Sequence, residues 1–257
     1  MRQQSKIQVT VRGVAIGGPK PLICLPLMAD SRADLHKQVE ELMALGPDLL
    51  EWRADAYGNV TAVEELLVVL GELRLVIGNT PLIFTCRIDR EGGLRPMPQG
   101  LRLALVTAVI ASGDIDLVDI ELCNEEDFIA VVRKSAKKFN CKLILSHHNF
   151  QETPGESFLV DKLLEAQEAG ADIAKLAVMP KNYADVLILL AATNAARNGK
   201  LAIPLVTMSM GLEGKISRMA GGLFGSDITF ASGSRASAPG QMHIDELRTG
   251  MALLFQP

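Results

Sequence analysis

The stretch Asp172-Ile-Ala-Lys-Leu-Ala-Val-Met179 places a single lysine, Lys175, inside an otherwise apolar run. The run predicts a buried β-strand. A buried ammonium is costly to desolvate, and proteins usually respond by lowering the lysine pKa toward neutrality, which prepares the amine to attack a ketone. A lysine that reaches out from an edge strand is the alternative. Three other strand-like segments carry charge or histidine in the same unexpected way, which favours a functional lysine.

Similar short, strand-like segments recur along the rest of the chain. Short β-type segments alternate with longer amphipathic segments, and no low-complexity linker divides them. This alternation predicts an α/β protein with a parallel sheet. The predicted strands cover residues 21–28, 49–55, 81–87, 115–122, 142–150, 173–179, 203–210 and 227–231.

Helices are predicted between these strands, over residues 34–45, 62–77, 100–112, 125–139, 156–169, 183–197 and 244–255. Eight βα units in about 240 residues match the size and order of a (β/α)8 TIM barrel. We expect one domain over residues 1–257, with an N-terminal β-hairpin within residues 7–16 that closes the bottom of the barrel. A doubly wound open sheet is the alternative, but the first strand lacks the GxGxxG turn of a dinucleotide-binding fold.

Composition and charge indicate which classes of partner the protein can bind. The chain has 257 residues, 48% of them hydrophobic, and a net charge of −4. No cluster of Lys and Arg with interleaved aromatics suggests nucleic acid. No apolar run approaches the ~20 residues that span a bilayer, and the N-terminus lacks the apolar core of a signal peptide. We therefore expect a cytoplasmic protein that binds neither nucleic acid nor membrane.

The cysteines and histidines give no metal-ligand spacing. All four cysteines fall in strand-like segments without a CxxC spacing, so buried free thiols are expected rather than disulfides or a metal site: Cys24, Cys86, Cys123 and Cys141.

Spacing along the predicted strands indicates a polar barrel interior. Residues two apart on a strand share a face, and a charged face must point into the lumen rather than the apolar helix layer. The side chains assigned to the lumen in this way are Glu51, Arg53, Asp55, Thr85, Arg87, Asp119, Glu121, Ser146 and His148. Barrel enzymes place their chemistry at the C-terminal ends of strands. An ion-pair network that only specifies packing is the alternative for each single carboxylate, but a core built for stability alone would use Val, Ile and Leu.

Several motifs in this order resemble type I 3-dehydroquinate dehydratase, from Pro21 to the C-terminus. They are Leu50-Glu-Trp-Arg-Ala-Asp55, Phe84-Thr-Cys-Arg87, Glu91-Gly-Gly93, Ser146-His-His-Asn-Phe150, Ala174-Lys-Leu-Ala-Val-Met-Pro180, Thr207-Met-Ser-Met210, Ile216-Ser-Arg218 and Ala236-Ser-Ala-Pro-Gly-Gln241. The resemblance implies a (β/α)8 barrel, commonly a homodimer, that needs no metal or organic cofactor. It also implies the removal of water from 3-dehydroquinate to give 3-dehydroshikimate in the shikimate pathway of aromatic amino acid biosynthesis.

The resemblance assigns catalytic roles to three residues. Lys175 forms a protonated imine with the substrate ketone, which acts as an electron sink. His148 is the general base and later the general acid, and Glu91 holds its orientation and charge. The amine of Lys175 must first be neutral, and burial together with nearby arginine cations is expected to favour that form. His147 lies on the opposite face of its strand and is assigned no catalysis.

The resemblance also implies a set of substrate-binding residues. Arg218 matches the residue that holds the substrate carboxylate, as suits a guanidinium fork. Residues 231–241 are small enough for a lid that excludes water, although an exposed surface loop has the same composition. The other implied contacts are Glu51, Arg53 and Arg87 on the hydroxyl side, Ser237 and Gln241 in the lid, and Met210 near the imine.

Two positions depart from the familiar pattern. Pro26 stands where many bacterial members have serine, so one polar contact to the substrate is expected to be lost or replaced. Asn149 stands where Asp is familiar, and the missing negative charge is expected to lower the pKa of His148. Neither departure touches the Lys, His, Glu and Arg set, so we expect retained activity.

Two other functions use the same fold. A class I aldolase also uses a barrel lysine, but its glycine-rich phosphate site is matched only weakly by Gly211-Leu-Glu-Gly-Lys215 and by Ser232-Gly-Ser234. A non-catalytic barrel kept for binding or regulation is the second alternative. The survival of the lysine, histidine and arginine together favours the enzyme.

Overall fold

The computed structural model describes residues 2–233 and 238–255. An N-terminal hairpin consists of β1 (Val9–Val11) and β2 (Val14–Ile16), which pair antiparallel. The eight strands that follow are all parallel: β3 (Leu22–Leu27), β4 (Leu49–Arg53), β5 (Leu82–Thr85), β6 (Leu117–Glu121), β7 (Lys142–Asn149), β8 (Ile173–Val178), β9 (Leu205–Ser209) and β10 (Ile228–Phe230).

Helices follow the strands in the order expected of a barrel. They are α1 (Arg32–Ala44), α2 (Val63–Ile77), α3 (Gln99–Ser112), α4 (Glu126–Lys138), α5 (Glu156–Glu168), α6 (Tyr183–Asn198), α7 (Lys215–Phe224) and α8 (Ile244–Leu254). The hydrogen-bonded strand order β10-β3-β4-β5-β6-β7-β8-β9 confirms the predicted (β/α)8 TIM barrel and excludes the open doubly wound sheet. In the described part of the chain, no helix is both long and apolar enough to cross a membrane.

The structure differs from the predictions mainly at helix α7 and at the C-terminal ends of two strands. Helix α7 was not predicted, because Gly221 and Gly222 weaken its helical pattern; a side chain at Gly222 would lie 2.8 Å from both Pro21 and Phe255, so close packing requires the glycine. The strands predicted over 49–55 and 81–87 end earlier, at Arg53 and Thr85. Asp55 therefore lies in a short 3-10 turn after β4, not on the strand itself.

Two apolar cores flank the wall of the barrel. The larger one fills the space between the strands and the surrounding helices and includes the buried indole of Trp52. The smaller one fills the lower lumen with one side chain from each of several strands and is joined by the hairpin residues Val9, Val11 and Ile16. The hairpin thus covers the bottom of the barrel, as the sequence predicts. The polar side chains of the lumen occupy the opposite, upper end.

An aspartate clamp recurs at the bottom of every second barrel strand. In each clamp, an aspartate directly before a strand donates its backbone N–H to a carbonyl of the preceding strand. Its carboxylate accepts the backbone N–H of that same partner residue at 2.7–2.9 Å. The four pairs are Asp48 with Ile23, Asp116 with Leu82, Asp172 with Leu143 and Asp227 with Leu205.

The fourth clamp also closes the barrel, since β9 and β10 are the two ends of the strand order. Asp227 is fully buried between the guanidinium groups of Arg2 and Arg197, and both form ion pairs with it. The hydroxyl of Ser226 accepts the backbone N–H of Thr207 at 3.1 Å. Side chains therefore supply part of the hydrogen bonding at the seam, the place where β9 and β10 meet and the barrel closes.

We predict that Asp227→Ala lowers the free energy of unfolding by about 3–5 kcal/mol, because it strands two buried guanidinium groups. The matched variant is Asp172→Ala, whose carboxylate forms the same clamp but pairs with no arginine within residues 2–233 and 238–255. It should lose only about 1–2 kcal/mol. Urea denaturation measures both values, and equal losses would show that the arginines do not matter at the seam.

Candidate active site

A pocket of about 620 Å³, counted with its open mouth, lies at the C-terminal end of the barrel. It contains side chains from at least five strands and from the loops that follow them. Nine of the predicted site residues line this pocket: Glu51, Arg53, Arg87, Glu91, His148, Lys175, Met210, Arg218 and Gln241. The tenth, Ser237, lies outside the described residues.

Lys175 lies at the centre of the lumen, on β8, and is only 6% exposed. Its Nζ atom is 2.7 Å from Oδ2 of Asp119 and 3.3 Å from Oε1 of Glu51. The ring of Phe230 lies under the ammonium, with its centroid 4.6 Å away. The lysine is therefore buried in the lumen and not an edge residue. Its nearest charged neighbours are carboxylates, so the expected arginine cations do not adjoin the amine directly.

Asp119 lies between Lys175 and Arg87 and pairs with both. Arg87 places Nη2 2.9 Å from Oδ2 of Asp119 and Nη1 2.9 Å from Oε1 of Glu121. Ser146 donates to Oδ1 of Asp119 at 2.6 Å. Burial alone would raise the pKa of Asp119, but Arg87 and Lys175 outweigh it and lower the pKa to about 2.

The charges continue outward from the lumen in alternating sign. Glu121 pairs on its other oxygen with Arg102 of α3 at 2.6 Å, and the guanidinium of Arg102 lies 4.5 Å above the ring of Phe128. Burial disfavours the charge of Arg87, but the carboxylates around it outweigh that cost and raise its pKa. The buried ionic chain, as we call it, is Glu51, Lys175, Asp119, Arg87, Glu121 and Arg102.

His148 and Glu91 form the second polar group of the pocket. Oε2 of Glu91 lies 2.9 Å from both the backbone nitrogen and Nδ1 of His148. Burial raises the pKa of the Glu91 carboxyl. Burial also lowers the pKa of His148 well below its usual value, and the cations Arg87 and Lys175 lower it further. The imidazole is therefore neutral at neutral pH, and the Glu91 carboxylate is the hydrogen-bond partner of Nδ1.

Arg53 and Asp55 form a bidentate pair at the rim of the pocket, with both N–O distances 2.9 Å. Asp55 also accepts the backbone N–H groups of Arg87 and Leu94. The lumen position expected for Asp55 is thus wrong, because the strand ends at Arg53 and the carboxylate turns to bind the following loops. Its contacts position Arg53, which lines the pocket itself.

Arg218, from α7, is a buried cation that no carboxylate pairs within the described ranges. It donates to the carbonyls of Phe230 at 3.3 Å and Pro239 at 3.2 Å, and its Nε has no hydrogen-bond partner among the described residues. Burial lowers the pKa of this arginine to about 10. Such an unpaired guanidinium is costly to bury, so the position suits an anionic group of a ligand.

Residues 238–241, one of the two described parts of the predicted lid, lie against Arg218 and the end of β9. Ala238, Pro239 and Gln241 line the pocket. Pro239 accepts the backbone N–H of Gly211 at 3.3 Å. Gly240 has φ 76°, and a side chain there would come within 1.8 Å of the Gly211 carbonyl. Only glycine fits this approach, which fixes the lid base over the pocket.

Sequence reasoning missed several residues of the pocket. Ala177 and Met208 lie on the lumen faces of β8 and β9, and the period-two spacing through Lys175 and Met210 was a sufficient signal for both. Phe150, two residues after His148 in the predicted strand 142–150, had the same signal. Other wall residues, which had no such signal, are Gly92, Phe230, Ala238 and Pro239.

The cysteine prediction is correct for three residues and wrong for one. Cys24, Cys86 and Cys141 are buried free thiols. Cys123 is exposed, in the loop after β6, and its Sγ donates to Oε1 of Glu91 at 2.9 Å. Cys123 is therefore hydrogen-bonded to Glu91, a member of the catalytic pair that the sequence predicts.

The two departures from the familiar pattern take different places. Pro26 is buried in β3, in register with Glu51 of β4. The side-chain oxygen of Asn149 accepts the backbone N–H groups of Gln151 and Glu152 at 2.9 and 3.0 Å. Asn149 therefore caps the loop after β7.

Barrel and pocket together define a (β/α)8-barrel enzyme with a polar active site at the C-terminal ends of its strands. A family model of type I 3-dehydroquinase matches residues 23–257. The chain belongs to this family, and it is a hydro-lyase. A 3-dehydroquinate dehydratase of Geobacillus thermodenitrificans is 43% identical to it over 254 residues, which cover 98% of each chain.

Solved structures agree with this membership. The 3-dehydroquinate dehydratase of Geobacillus kaustophilus is 44% identical, with a TM-score of 0.94 and 97% of each chain covered. A type I 3-dehydroquinate dehydratase of Clostridium difficile, whose structure contains covalently modified comenic acid, is 39% identical. Its TM-score is also 0.94, with 97% of this chain and 98% of that chain covered.

We predict that Asp119 makes acid stability depend on the buried ionic chain. Its pKa is depressed in the fold, so it contributes stability above its unfolded pKa of 3.8, and this contribution is lost as pH falls toward 2. Between about pH 4 and pH 2, the wild-type free energy of unfolding should fall by about 2 kcal/mol more than that of Asp119→Asn. Denaturant titrations at each pH measure this difference.

The exposed Asp127 provides the matched control for Asp119. Asp127→Asn should follow the wild-type curve over the same pH range. A parallel decline of Asp119→Asn and wild type would show that Asp119 does not hold its depressed pKa.

Proposed function

We propose that the protein dehydrates 3-dehydroquinate to 3-dehydroshikimate through an imine on Lys175. The observation that carries the proposal is the convergence of a buried lysine, a histidine–glutamate pair and an unpaired arginine on one pocket. The names of the relatives support the reaction, and the covalently modified ligand of the Clostridium difficile enzyme supports a covalent step. Family membership favours this activity over an aldolase or a non-catalytic barrel.

Imine formation starts with loss of a proton from the ammonium of Lys175. Asp119 and Glu51 are the carboxylates within reach. Arg87 already holds Asp119 ionised, whereas within the described residues the Glu51 side chain accepts hydrogen bonds only from the hydroxyl of Thr85 and from the lysine itself. We infer that Glu51 accepts this proton. The neutral amine then adds to the ketone. Glu51 returns its proton to the departing hydroxyl, so that water leaves and the protonated imine forms.

His148 removes the proton from the carbon next to the imine. Glu91 can only accept at Nδ1, so Nδ1 carries the hydrogen and Nε2 is the basic nitrogen. The electron pair of the broken C–H bond enters the imine to give an enamine. The enamine then expels the adjacent hydroxyl, which takes the proton from His148 and leaves as water. Hydrolysis of the remaining imine releases the product and restores Lys175.

Arg218 binds the substrate carboxylate in this proposal. The incoming anion supplies the counter-charge that the described structure lacks around the guanidinium, and a carboxylate suits its planar fork. Glu51, Arg53 and Arg87 then face the hydroxyl groups, with Met210 near the imine. Gln241 contributes from the loop after β10, and the role of Ser237 in the same loop stays a prediction from the sequence.

The sequence also leads to expectations about the oligomeric state, cellular location, domain count and cofactors of the enzyme. We propose a homodimer in the cytoplasm, with one domain over residues 1–257 and no metal or organic cofactor. These expectations stay predictions, and the oligomeric state is measured by light scattering.

We predict that incubation with 3-dehydroquinate and borohydride attaches one ligand to Lys175, because borohydride reduces the imine to a stable amine. Peptide mass spectrometry locates the adduct. Lys175→Ala should give no adduct and no enone absorbance. Lys181→Ala, which removes an exposed lysine of the adjoining loop, is the control and should retain both. Full turnover by Lys175→Ala would refute the mechanism.

We predict that His148→Ala separates imine formation from proton transfer. Lys175 is untouched, so the borohydride adduct should still form, while turnover falls by about 10²–10⁴-fold because the general base is missing. His147→Ala, on the opposite face of β7, should retain more activity than His148→Ala. Loss of the adduct in a folded His148→Ala protein would show that the histidine acts before the imine forms.

A further inference from the structure

We propose that Cys123 is a positioning residue, whose thiol holds Glu91 as a carboxylate oriented toward His148. The inference rests on the proposed function, because it concerns the same histidine. The hydrogen-bonded series Cys123–Glu91–His148 runs from an exposed loop to the catalytic pocket. Sequence spacing did not indicate it, because the three residues come from three different βα units.

The geometry divides the two oxygens of Glu91 between two neighbours. Oε2 faces the backbone nitrogen and Nδ1 of His148, both at 2.9 Å, and Oε1 faces Sγ of Cys123 at 2.9 Å. A carboxylate can only accept, so the thiol is the donor. Without Cys123, no hydrogen-bond donor among the described residues would contact Oε1, and the carboxylate would lose one of the donors that keep it ionised and facing His148.

Arg90 fixes the thiol from its other side. Its Nη2 donates to Sγ of Cys123 at 3.3 Å and to the carbonyl of the same residue at 3.0 Å. The arginine therefore occupies the acceptor side of the sulfur and anchors the loop. The single S–H hydrogen is then directed toward Glu91. Burial, followed by the nearby Glu91 carboxylate, raises the pKa of the Cys123 thiol to about 12, so it stays protonated across the working range.

The charges around Glu91 explain why one more donor matters. Burial raises the pKa of this carboxyl, Glu121 on β6 raises it further, and Arg87 lowers it. The thiol of Cys123 and the backbone N–H of His148 supply the other stabilising contacts, and both lower the pKa. Burial therefore raises the pKa of Glu91, and each donor that contacts its carboxylate counteracts this rise. A protonated Glu91 no longer supports the imidazole.

The test is the pH profile of kcat/KM for Cys123→Ala. Loss of the donor raises the pKa of Glu91, so the acid limb should move to higher pH by about 0.5–1 unit, a modest shift because a thiol is a weak donor. The plateau at high pH should stay near wild type, since Glu91 is then ionised in both proteins. Cys123→Ser retains a donor and should restore the acid limb.

Cys141→Ala, which removes a buried thiol at the bottom of the barrel, is the matched control and should keep the wild-type profile. An unmoved acid limb in Cys123→Ala would overturn the proposal, as would an equal loss of turnover at every pH, which indicates packing alone. Failure of wild type and Cys141→Ala to turn over or form the adduct would instead overturn the proposed function.

Infrared spectroscopy tests the hydrogen bond even if Cys123→Ala does not fold. The S–H stretch of Cys123, identified by its loss in Cys123→Ser, should lie below those of the other three cysteines, because its hydrogen bonds a carboxylate. Glu91→Gln should move it to higher frequency. A Cys123 stretch that does not respond to Glu91→Gln would contradict the hydrogen bond.

Discussion

Mutual neutralisation of buried charges is the constraint on which the upper barrel depends. Each member of the buried ionic chain is stable only because its neighbours carry the opposite sign, since isolated charges cannot be held in the lumen at tolerable cost. The chain begins at Glu51 and ends at Arg102 in the helix layer. It fixes Lys175 in place before any substrate arrives. Outside this ionic chain, Arg218 has no carboxylate partner among the described residues, and we propose that the anionic group of a ligand supplies one.

The sequence indicates the fold and most of the pocket, because period two on a strand determines which side chains share the lumen. That rule brought Glu51, Arg87 and His148 together from three distant segments, and the apolar run around Lys175 predicted a buried lysine beside them. It failed where a strand stops, as at Arg53 and Thr85, because the end of a strand is decided by the loops that bind there. Asp55 is the example: its carboxylate accepts the backbone N–H groups of Arg87 and Leu94 from a later loop, in addition to the guanidinium of the nearby Arg53.

Contacts between loops are the other part that the sequence does not reveal. The thiol of Cys123 reaches Glu91 only because the loops after β5 and β6 are neighbours in the barrel. The sequence likewise does not identify the partners of Lys175, because spacing places carboxylates in the lumen but does not say which one contacts the amine. Helix α7 was missed for a local reason, because its glycine pair serves packing against Pro21 and Phe255 at the expense of the helical pattern.

The aspartate clamps divide the barrel into four two-strand modules. Each clamp joins residues only 22 to 34 positions apart, so the loop entropy lost in forming a module is small. Closure is different, since Arg2 reaches Asp227 across 225 positions. We therefore expect folding by assembly of preformed modules, with ring closure last. In this folding order, Arg2 can pair with Asp227 only after the last module has formed. The ion pair therefore couples the N-terminal segment to the C-terminal part of the barrel.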